Sequence, residues 1–259
     1  MKLEHIIEEI ERVYPVASAM EWDNPGLQAG RRDKEVKKIY VALDATDTVI
    51  EQAAAAGADL LLTHHPLIFG GIKKVTDENL TGRRIVRLLE EGICCYSMHT
   101  NYDVLRMADL AGERMGLENP EVLEVTEPGE TPRGIGKTGT LKEPVTLEAY
   151  GRKIKEIFQL PEIRVFGDPN ASVKKVAVCP GSGKSVIEEA LEKQADVLVT
   201  GDIGHHEGID AYARGMAIID AGHYGLEHIF TGDMDRFCRE HFQEVETVPA
   251  PVSHPFWAL

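Results

Sequence analysis

The stretch Ala58-Asp-Leu-Leu-Leu-Thr-His-His-Pro-Leu-Ile-Phe69 decides how this chain is organised. Its leucine run follows Gly57 and ends before Pro66, so it is too short for a helix and typical of a buried strand. Pro66 interrupts regular structure, which places His64 and His65 where the strand leaves its sheet. Ligands of α/β proteins gather beyond the carboxyl ends of the strands, and we therefore expect chemistry at this histidine pair.

The two adjacent histidines predict two metal ions rather than one. Neighbouring side chains on a strand point to opposite faces, so both imidazoles serve a single ion poorly but can reach two ions lying side by side. Alone the pair is weak evidence, because many such pairs are solvated or bonded to backbone carbonyls. The interpretation depends on what the rest of the chain supplies.

The strand that ends at Thr63 belongs to an internal repeat. Lys37–Thr63 aligns without a gap to Lys174–Thr200, with eleven identities over 27 positions at a constant offset of 137 residues. Gapless agreement over strand, helix and strand indicates a duplication. The sequence therefore predicts two related α/β units, residues 1–130 and 131–259, with a metal site in the cleft between them. We place the boundary near Thr131, in a Pro/Gly-rich connection, and leave open whether the lobes intertwine.

The composition argues against several partners and locations. The net charge of −15 opposes binding to nucleic acid and to anionic membrane surfaces. The four cysteines include no Cys-x-x-Cys pair and are predicted to be buried thiols of a reducing compartment. The amphipathic amino terminus has no signal-peptide core, and no apolar run reaches the roughly 18 residues of a membrane span. The sequence predicts a soluble, cytoplasmic protein.

The loops after the strands of both copies are expected to converge at one edge. They carry a set of polar side chains, namely His64, His65, His99, Asn101, Asp103, Asp202, His205, His206, His223 and Glu227. His223 and Glu227 are four residues apart, which on a helix puts both side chains on one face. Alone this pair is more often an exposed ion pair. In company with the histidine pair and Asp103, a metal site is favoured.

Three further motifs have simpler explanations. Gly181-Ser-Gly-Lys-Ser185 lacks the first glycine of a phosphate loop, so a glycine turn with a serine capping the helix is favoured, although its backbone amides remain a candidate anion site. Cys179 with His206 suggests a thiol dyad, but cysteine in an apolar strand more often belongs to the core. Trp22 and Tyr224 are candidates for stacking on a ligand, with core or interface packing as the alternative for Trp22.

Taken together, these motifs resemble the NIF-three-like family, whose members are often called GTP cyclohydrolase 1 type 2 homologs. The resemblance spans nearly the whole chain and is carried by Glu21-Trp-Asp-Asn-Pro-Gly26, Leu43-Asp-Ala-Thr46, Thr63-His-His-Pro-Leu-Ile-Phe69, Ser97-Met-His-Thr-Asn-Tyr-Asp103, Thr200-Gly-Asp202 and Gly222-His-Tyr-Gly-Leu-Glu227. It implies the compact form of the family, because the space between the copies is too short for the extra domain of longer members. It also implies a homo-oligomer, a hexamer built from dimers.

The same resemblance implies which side chains hold metal. A pair of divalent ions is expected on His64, His65, Asp103, His223 and Glu227. Three imidazoles with two carboxylates suit Zn, Fe, Mn, Ni or Co rather than Ca or Mg. Five side chains cannot fill two coordination shells, so we expect Glu227 to bridge, water to complete the shells, and the two adjacent histidines to bind different ions.

These expectations favour a metal-dependent hydrolase acting on a small molecule, which the family name suggests is nucleotide-like. Water made acidic by the ions is the expected nucleophile, with His99 or His206 shuttling a proton or merely orienting neighbours. In an enzyme, open metal positions face polar residues, here those two histidines with Asn101 and Asp202. The alternative is a non-catalytic metal-binding adaptor or metal-storage protein, with partner contacts on exposed loops such as residues 22–28.

Overall fold

The computed structural model describes residues 1–257 and Leu259, in which strands and helices alternate over most of the chain. The strands are β1 (Gly26–Ala29), β2 (Lys38–Ala42), β3 (Leu60–Thr63), β4 (Cys94–Ser97), β5 (Glu118–Glu127), β6 (Arg133–Thr146), β7 (Arg164–Phe166), β8 (Ser172–Ser182), β9 (Val197–Gly201), β10 (Ala217–Asp220) and β11 (Glu246–Pro249). The α-helices are α1 (Leu3–Val13), α2 (Asp47–Ala55), α3 (Leu80–Glu90), α4 (Thr100–Tyr102), α5 (Ala108–Met115), α6 (Leu147–Ile157), α7 (Ile187–Glu192), α8 (His205–Ala213), α9 (His223–Glu227) and α10 (Ile229–His241). Short 3-10 turns span Val16–Ser18 and Gly183–Val186, and a π-helical turn spans Asp103–Met107.

The chain divides into two compact units. The first comprises Met1–Tyr102 and Phe230–Val252, and the second comprises Asp103–Ile229 and Ser253–Leu259. The boundary predicted near Thr131 does not coincide with this division. That residue lies between β5 and β6, which are neighbouring antiparallel strands, so a boundary there would cut through a sheet.

The first unit is built on a five-stranded sheet in the order β1-β4-β3-β2-β11. Strands β4, β3, β2 and β11 are parallel, and β1 pairs antiparallel with β4 at the edge. The leucines of β3 are fully buried, which confirms the predicted strand. One of them, Leu61, belongs to the same apolar core as Ile50 of α2 and Ile85 and Leu88 of α3, so the two helices and the sheet share that core.

The second unit is built on a six-stranded sheet in the order β5-β6-β8-β9-β10-β7. Strands β8, β9 and β10 are parallel, whereas β5, β6 and β7 run antiparallel to their neighbours. Ala177, Leu198 and Ile218, one from each parallel strand, pack with Val186 and Ala190 in its core. Both units are therefore mixed α/β structures, as predicted.

The duplication is visible in individual hydrogen bonds. In the first unit, Asp59 Oδ2 accepts hydrogen bonds from the backbone N–H groups of Lys37 and Lys38, at 2.8 and 3.2 Å. Asp196, at the equivalent position, accepts the same two bonds from the equivalent lysine pair, at 2.8 and 2.7 Å. A carboxylate thus ties the start of one parallel strand to its neighbour in both copies.

Two expectations about thiols and membranes can be compared with this fold. The four cysteines are free and buried, as predicted. In the described part of the chain, no helix combines the length and the apolar character needed to cross a bilayer.

Candidate metal centre

His64, His65 and His99 come together in the first unit. One ring nitrogen of each lies within 4.8 Å of those of the other two. The fold explains why, since β3 and β4 are parallel neighbours that end at the same edge, where the Met98 N–H donates to the Thr63 carbonyl at 2.8 Å. The sequence predicted that these strand ends would carry the site.

His64 is the buried member of this group. Its side chain has no solvent exposure, and its ring lies 5.2 Å from the ring of Phe230 and 6.1 Å from that of Tyr102, between centroids. The aromatic rings fix where the imidazole can lie, because buried side chains are close-packed. His65 is more accessible, with 22% of its side chain exposed.

Aspartates hold the two accessible histidines by the same ring nitrogen. His65 Nδ1 lies 2.7 Å from Asp44 Oδ1, and His99 Nδ1 lies 2.6 Å from Asp23 Oδ1. With Nδ1 bonded to a carboxylate, Nε2 is the nitrogen left to face a ligand or a proton. Neither aspartate partner was singled out from the sequence.

Asp23 is itself held by a second residue. Its Oδ2 accepts hydrogen bonds from the Thr100 N–H at 3.0 Å and from the Thr100 hydroxyl at 2.5 Å. Burial raises the pKa of the Asp23 carboxyl, but hydrogen bonds from His99 and Thr100 outweigh it and lower that pKa to about 2. Asp23 is therefore an ionised anchor for the imidazole of His99.

The second unit assembles an acidic group. His223 and Glu227 lie at the two ends of α9, with His223 Nε2 3.0 Å from Glu227 Oε2. Carboxylate oxygens of Asp103 and Glu227 lie within 4.8 Å of each other. Only 4% of the Glu227 side chain is exposed, against 36% for His223, so the carboxylate of this pair is buried. Asp103 begins the π-helical turn, a rare conformation that is frequent at functional sites.

His223 repeats the arrangement seen in the first unit. Its Nδ1 lies 2.8 Å from Asp202 Oδ2. Asp202 follows β9 and has a φ of 58°, a left-handed conformation that aspartate tolerates better than most side chains. The turn that aims the Asp202 carboxylate at the imidazole thus depends on the residue type at this position.

Glycines shape the wall beside these side chains. A Cβ on Gly181 would lie 2.3 Å from Glu227 Oε1, and one on Gly201 would lie 2.4 Å from the His223 nitrogen of the main chain. The Gly183 N–H donates to the Thr200 hydroxyl at 2.8 Å. Within residues 1–257, Ser182 makes no capping bond to the 3-10 turn, so the predicted serine cap is wrong. Of the residues in the Gly-Ser-Gly-Lys motif, Gly181 is therefore the one that lies directly against the Glu227 carboxylate.

The remaining predicted residues are placed differently. Asn101 is buried and engaged, its Oδ1 accepting from the His99 N–H at 2.9 Å and its Nδ2 donating to the Tyr14 carbonyl at 2.9 Å, so it braces the loop. His206 lies exposed on α8 beside His205, and among the residues described it belongs to none of the groups that could hold a metal ion. Asn101 was expected to face open metal positions and instead holds the backbone.

The structure also shows the surroundings of the candidate residues Cys179, Trp22 and Tyr224. Burial raises the pKa of the Cys179 thiol, helped by the charges of Asp103 and Glu227, which supports the core alternative over a thiol dyad. Trp22 is 59% exposed, which excludes core packing. The Tyr224 ring stacks on the ring of His228, with centroids 5.9 Å apart.

Comparison with known proteins identifies relatives of the whole chain. The model of the Duf34/NIF3 (NGG1p interacting factor 3) family matches residues 1–255. A GTP cyclohydrolase 1 type 2 homolog from Clostridium perfringens is 37% identical over 229 residues, covering 88% of this chain and 87% of its own. A protein of the same name from Methanocaldococcus jannaschii is 37% identical over 232 residues, covering 88% and 90%. The alignment with the Bacillus subtilis relative runs over 327 positions, so that protein contains a segment that these 259 residues lack.

Solved structures agree with this assignment. Staphylococcus aureus protein SA1388 superposes with a TM-score of 0.92 at 27% identity, covering all of this chain and 99% of its own. Reduced HcgD from Methanocaldococcus jannaschii superposes with a TM-score of 0.81 at 34% identity, covering 95% and 96%. The fold and the compact form are thus those of known relatives.

Proposed function

This chain belongs to the Duf34/NIF3 family, and on that premise we propose that it is a dinuclear divalent-metal hydrolase acting on a small molecule. The proposed ligands are His64, His65, Asp103, His223 and Glu227. The observation that carries the proposal is that two of the three proposed imidazole ligands, His65 and His223, have Nδ1 bonded to an aspartate. Metal-ligating histidines almost always donate this second nitrogen to a carboxylate, carbonyl or water, which fixes the ring for coordination.

The donor set fits divalent ions. Two carboxylates as close as those of Asp103 and Glu227 repel each other, and a cation between them removes that cost. The 3.0 Å between His223 Nε2 and Glu227 Oε2 is close to the roughly 3.4 Å expected between neighbouring ligands of a tetrahedral ion with ~2.1 Å bonds. Among the residues described, no cysteine belongs to these groups, which supports Zn, Fe, Mn, Ni or Co.

The proposal also specifies the number of ions, which is two per chain. The adjacent imidazoles of His64 and His65 are assigned to different ions. Glu227 would be the residue that holds both ions, because its carboxylate has two oxygens and Gly181 leaves room beside one of them. Five side chains leave coordination positions open for water and substrate.

When bound, the divalent ions supply Lewis acidity, which polarises a substrate oxygen and lowers the pKa of water. Beside them, His99 accepts and returns a proton at Nε2, because its Nδ1 is committed to Asp23. The Asp23 carboxylate stabilises the imidazolium while the proton is held. His206 stays the second candidate for this role, although its exposed position on α8 gives it no comparable anchor in the described structure.

The relatives named GTP cyclohydrolase 1 type 2 homolog support a nucleotide-like substrate. Hydrolysis would be sought in a panel of nucleotides, GTP ring opening, phosphodiesters and small amides, with native metal restored. Glu227→Ala should abolish turnover. Loss of turnover in His99→Ala but not in His206→Ala would assign the shuttle to His99. If no compound turns over in any metal form, the adaptor or metal-storage alternative takes the place of the enzyme.

Elemental analysis tests the metal proposal directly. Protein purified without added metal and then saturated should hold two ions per chain. Changing both His64 and His65 to Ala should remove them, whereas His5→Ala, at a side chain 60% exposed on α1, should retain them. Fewer than one ion per saturated chain would contradict the proposal.

A further inference from the structure

Two large aromatic side chains stand exposed beside His99. Trp22 is 59% exposed and Phe69 is 60% exposed. Their ring centroids are 5.8 Å apart with planes tilted by 47°. The His99 ring lies 5.9 Å from the indole and 6.0 Å from the phenyl ring. We refer to Trp22 and Phe69 as the aromatic platform.

The backbone under the aromatic platform is fixed. Asn24 Nδ2 donates to the Ile68 carbonyl at 2.6 Å, and the Ile68 N–H donates to Gln28 Oε1 at 3.1 Å. These bonds tie the loop that carries the indole to the loop that carries the phenyl ring. The residue after the indole, Asp23, is buried and bonded to Thr100. The two loops that carry the rings are therefore tied together before anything binds, which lowers the entropic cost of binding.

Exposed aromatic clusters of this kind mark interaction sites, because water solvates them poorly. Here the cluster lies beside His99, which belongs to a group of three histidines. We propose that the aromatic platform is a stacking subsite for a planar heteroaromatic ring of the substrate. The inference rests on the proposed function in one respect, which is that His99 transfers a proton at the reacting end of the same substrate molecule.

The geometry decides how a ring would bind. Inserting a ring between the two side chains would need about 7 Å, twice the ~3.5 Å optimal carbon–carbon separation, which exceeds the 5.8 Å between their centroids. The ligand ring therefore stacks on the open face of Trp22 and meets Phe69 at its edge. Indole is electron-rich, so nitrogen-containing rings such as nucleobases stack on it better than apolar rings or sugars do.

Tryptophan fluorescence tests the subsite with guanosine as the probe. The chain has two tryptophans, so Trp257→Phe leaves Trp22 as the single reporter. Guanosine should quench this fluorescence in a saturable way, whereas ribose at the same concentration should not. In calorimetry, Trp22→Ala should weaken guanosine binding about tenfold or more, and Trp22→Phe should stay within about threefold of the wild type. Phe69→Ala should have a smaller effect than Trp22→Ala.

Several results would overturn the inference. Unchanged guanosine affinity in Trp22→Ala would do so, as would quenching that never saturates. A smaller assembly of Trp22→Ala in light scattering would instead make the platform a subunit contact. Metal content separates this proposal from the preceding one, because Trp22→Ala should keep its ions. Guanosine binding without metal binding would sink the metal proposal alone, and metal binding without guanosine binding would sink the stacking subsite alone.

Discussion

Gly181 shows how the absence of a Cβ shapes the candidate site. Its φ of 75° lies in the left-handed region, and a Cβ there would sit 2.3 Å from Glu227 Oε1. Glu227 is buried, so it has little room to retreat. Any side chain at this position would displace the carboxylate proposed to bridge the two ions.

We therefore expect Gly181→Ala to lose metal while the protein still folds. Strain at a left-handed position costs about 1 kcal/mol or more, and the clash adds the displacement of Glu227. Elemental analysis of saturated protein should find fewer ions per chain than in the wild type. The control is Gly232→Ala on α10, where no described atom lies within 4 Å of the added Cβ. That variant should keep its metal and gain about 0.5–1 kcal/mol of stability. Full metal content in Gly181→Ala would contradict the proposal that a side chain at this position displaces Glu227.

At the scale of single residues, the sequence identified His65 and His99 but not the aspartates that orient them, Asp44 and Asp23. Strand ends follow from local pattern, so His64, His65 and His99 could be named as site residues. Asp23 bonds to His99 across 76 residues of sequence, and no periodicity reports such a pairing. Its one signal was a position inside a turn-rich segment with the exposed Trp22, which is a weak pattern by itself.

At the scale of elements, the repeat was predictable because equivalent positions kept equivalent residues. Asp59 and Asp196 are identical in the alignment of the two copies and make the same pair of bonds. The division between units was not predictable. Strand β11 pairs with β2 in the first unit although residues 103–229 of the second unit lie between them in the chain, and an isolated four-residue strand carries no signal of its partner.

The shared aspartate predicts matched losses of stability. Asp59→Ala should cost about 1–3 kcal/mol near pH 7, because two strand N–H groups lose their acceptor. Asp196→Ala should cost a similar amount. Urea unfolding measures both. The control is Asp33→Ala, whose side chain is 57% exposed and pairs with Arg31, with an expected loss below about 1 kcal/mol. A loss at one copy and none at the other would contradict the equivalence.

The same aspartate predicts a pH dependence. Burial raises the pKa of Asp59, but hydrogen bonds from the Lys37 N–H and the Lys34 ammonium prevail and hold that pKa below its ordinary value of 3.8. A depressed folded-state pKa stabilises the fold above the ordinary value, and the benefit is lost as the pH falls through the folded value. The urea midpoints of wild type and Asp59→Ala should therefore converge as the pH is lowered from 6 towards 3. A constant difference would show that the charge of Asp59 contributes nothing.

At the scale of the whole molecule, we expect a homo-oligomer, and a hexamer is the state proposed from the family resemblance. Light scattering should give a mass near six times that of the 28.6 kDa chain. Each subunit carries a net charge of −15, so the subunits repel one another. Salt screens that repulsion, and dissociation should be easier at 10 mM than at about 150 mM ionic strength. A 28.6 kDa monomer at micromolar concentration in both buffers would contradict the proposal.

Removing metal should destabilise the molecule, because ions that bind only the folded state add to its free energy of unfolding. An ion present at a thousandfold its dissociation constant contributes about 4 kcal/mol, so exhaustive chelation should lower the thermal midpoint by roughly ten degrees. Restoring Zn or Mn should recover the midpoint, whereas Ca should not, because the imidazole donors do not suit it. The variant with His64 and His65 both changed to Ala serves as the control, and its lower midpoint should respond weakly to chelator. If elemental analysis confirms that the ions are gone and the wild-type midpoint is unchanged, the side chains proposed as ligands do not hold metal in the folded state.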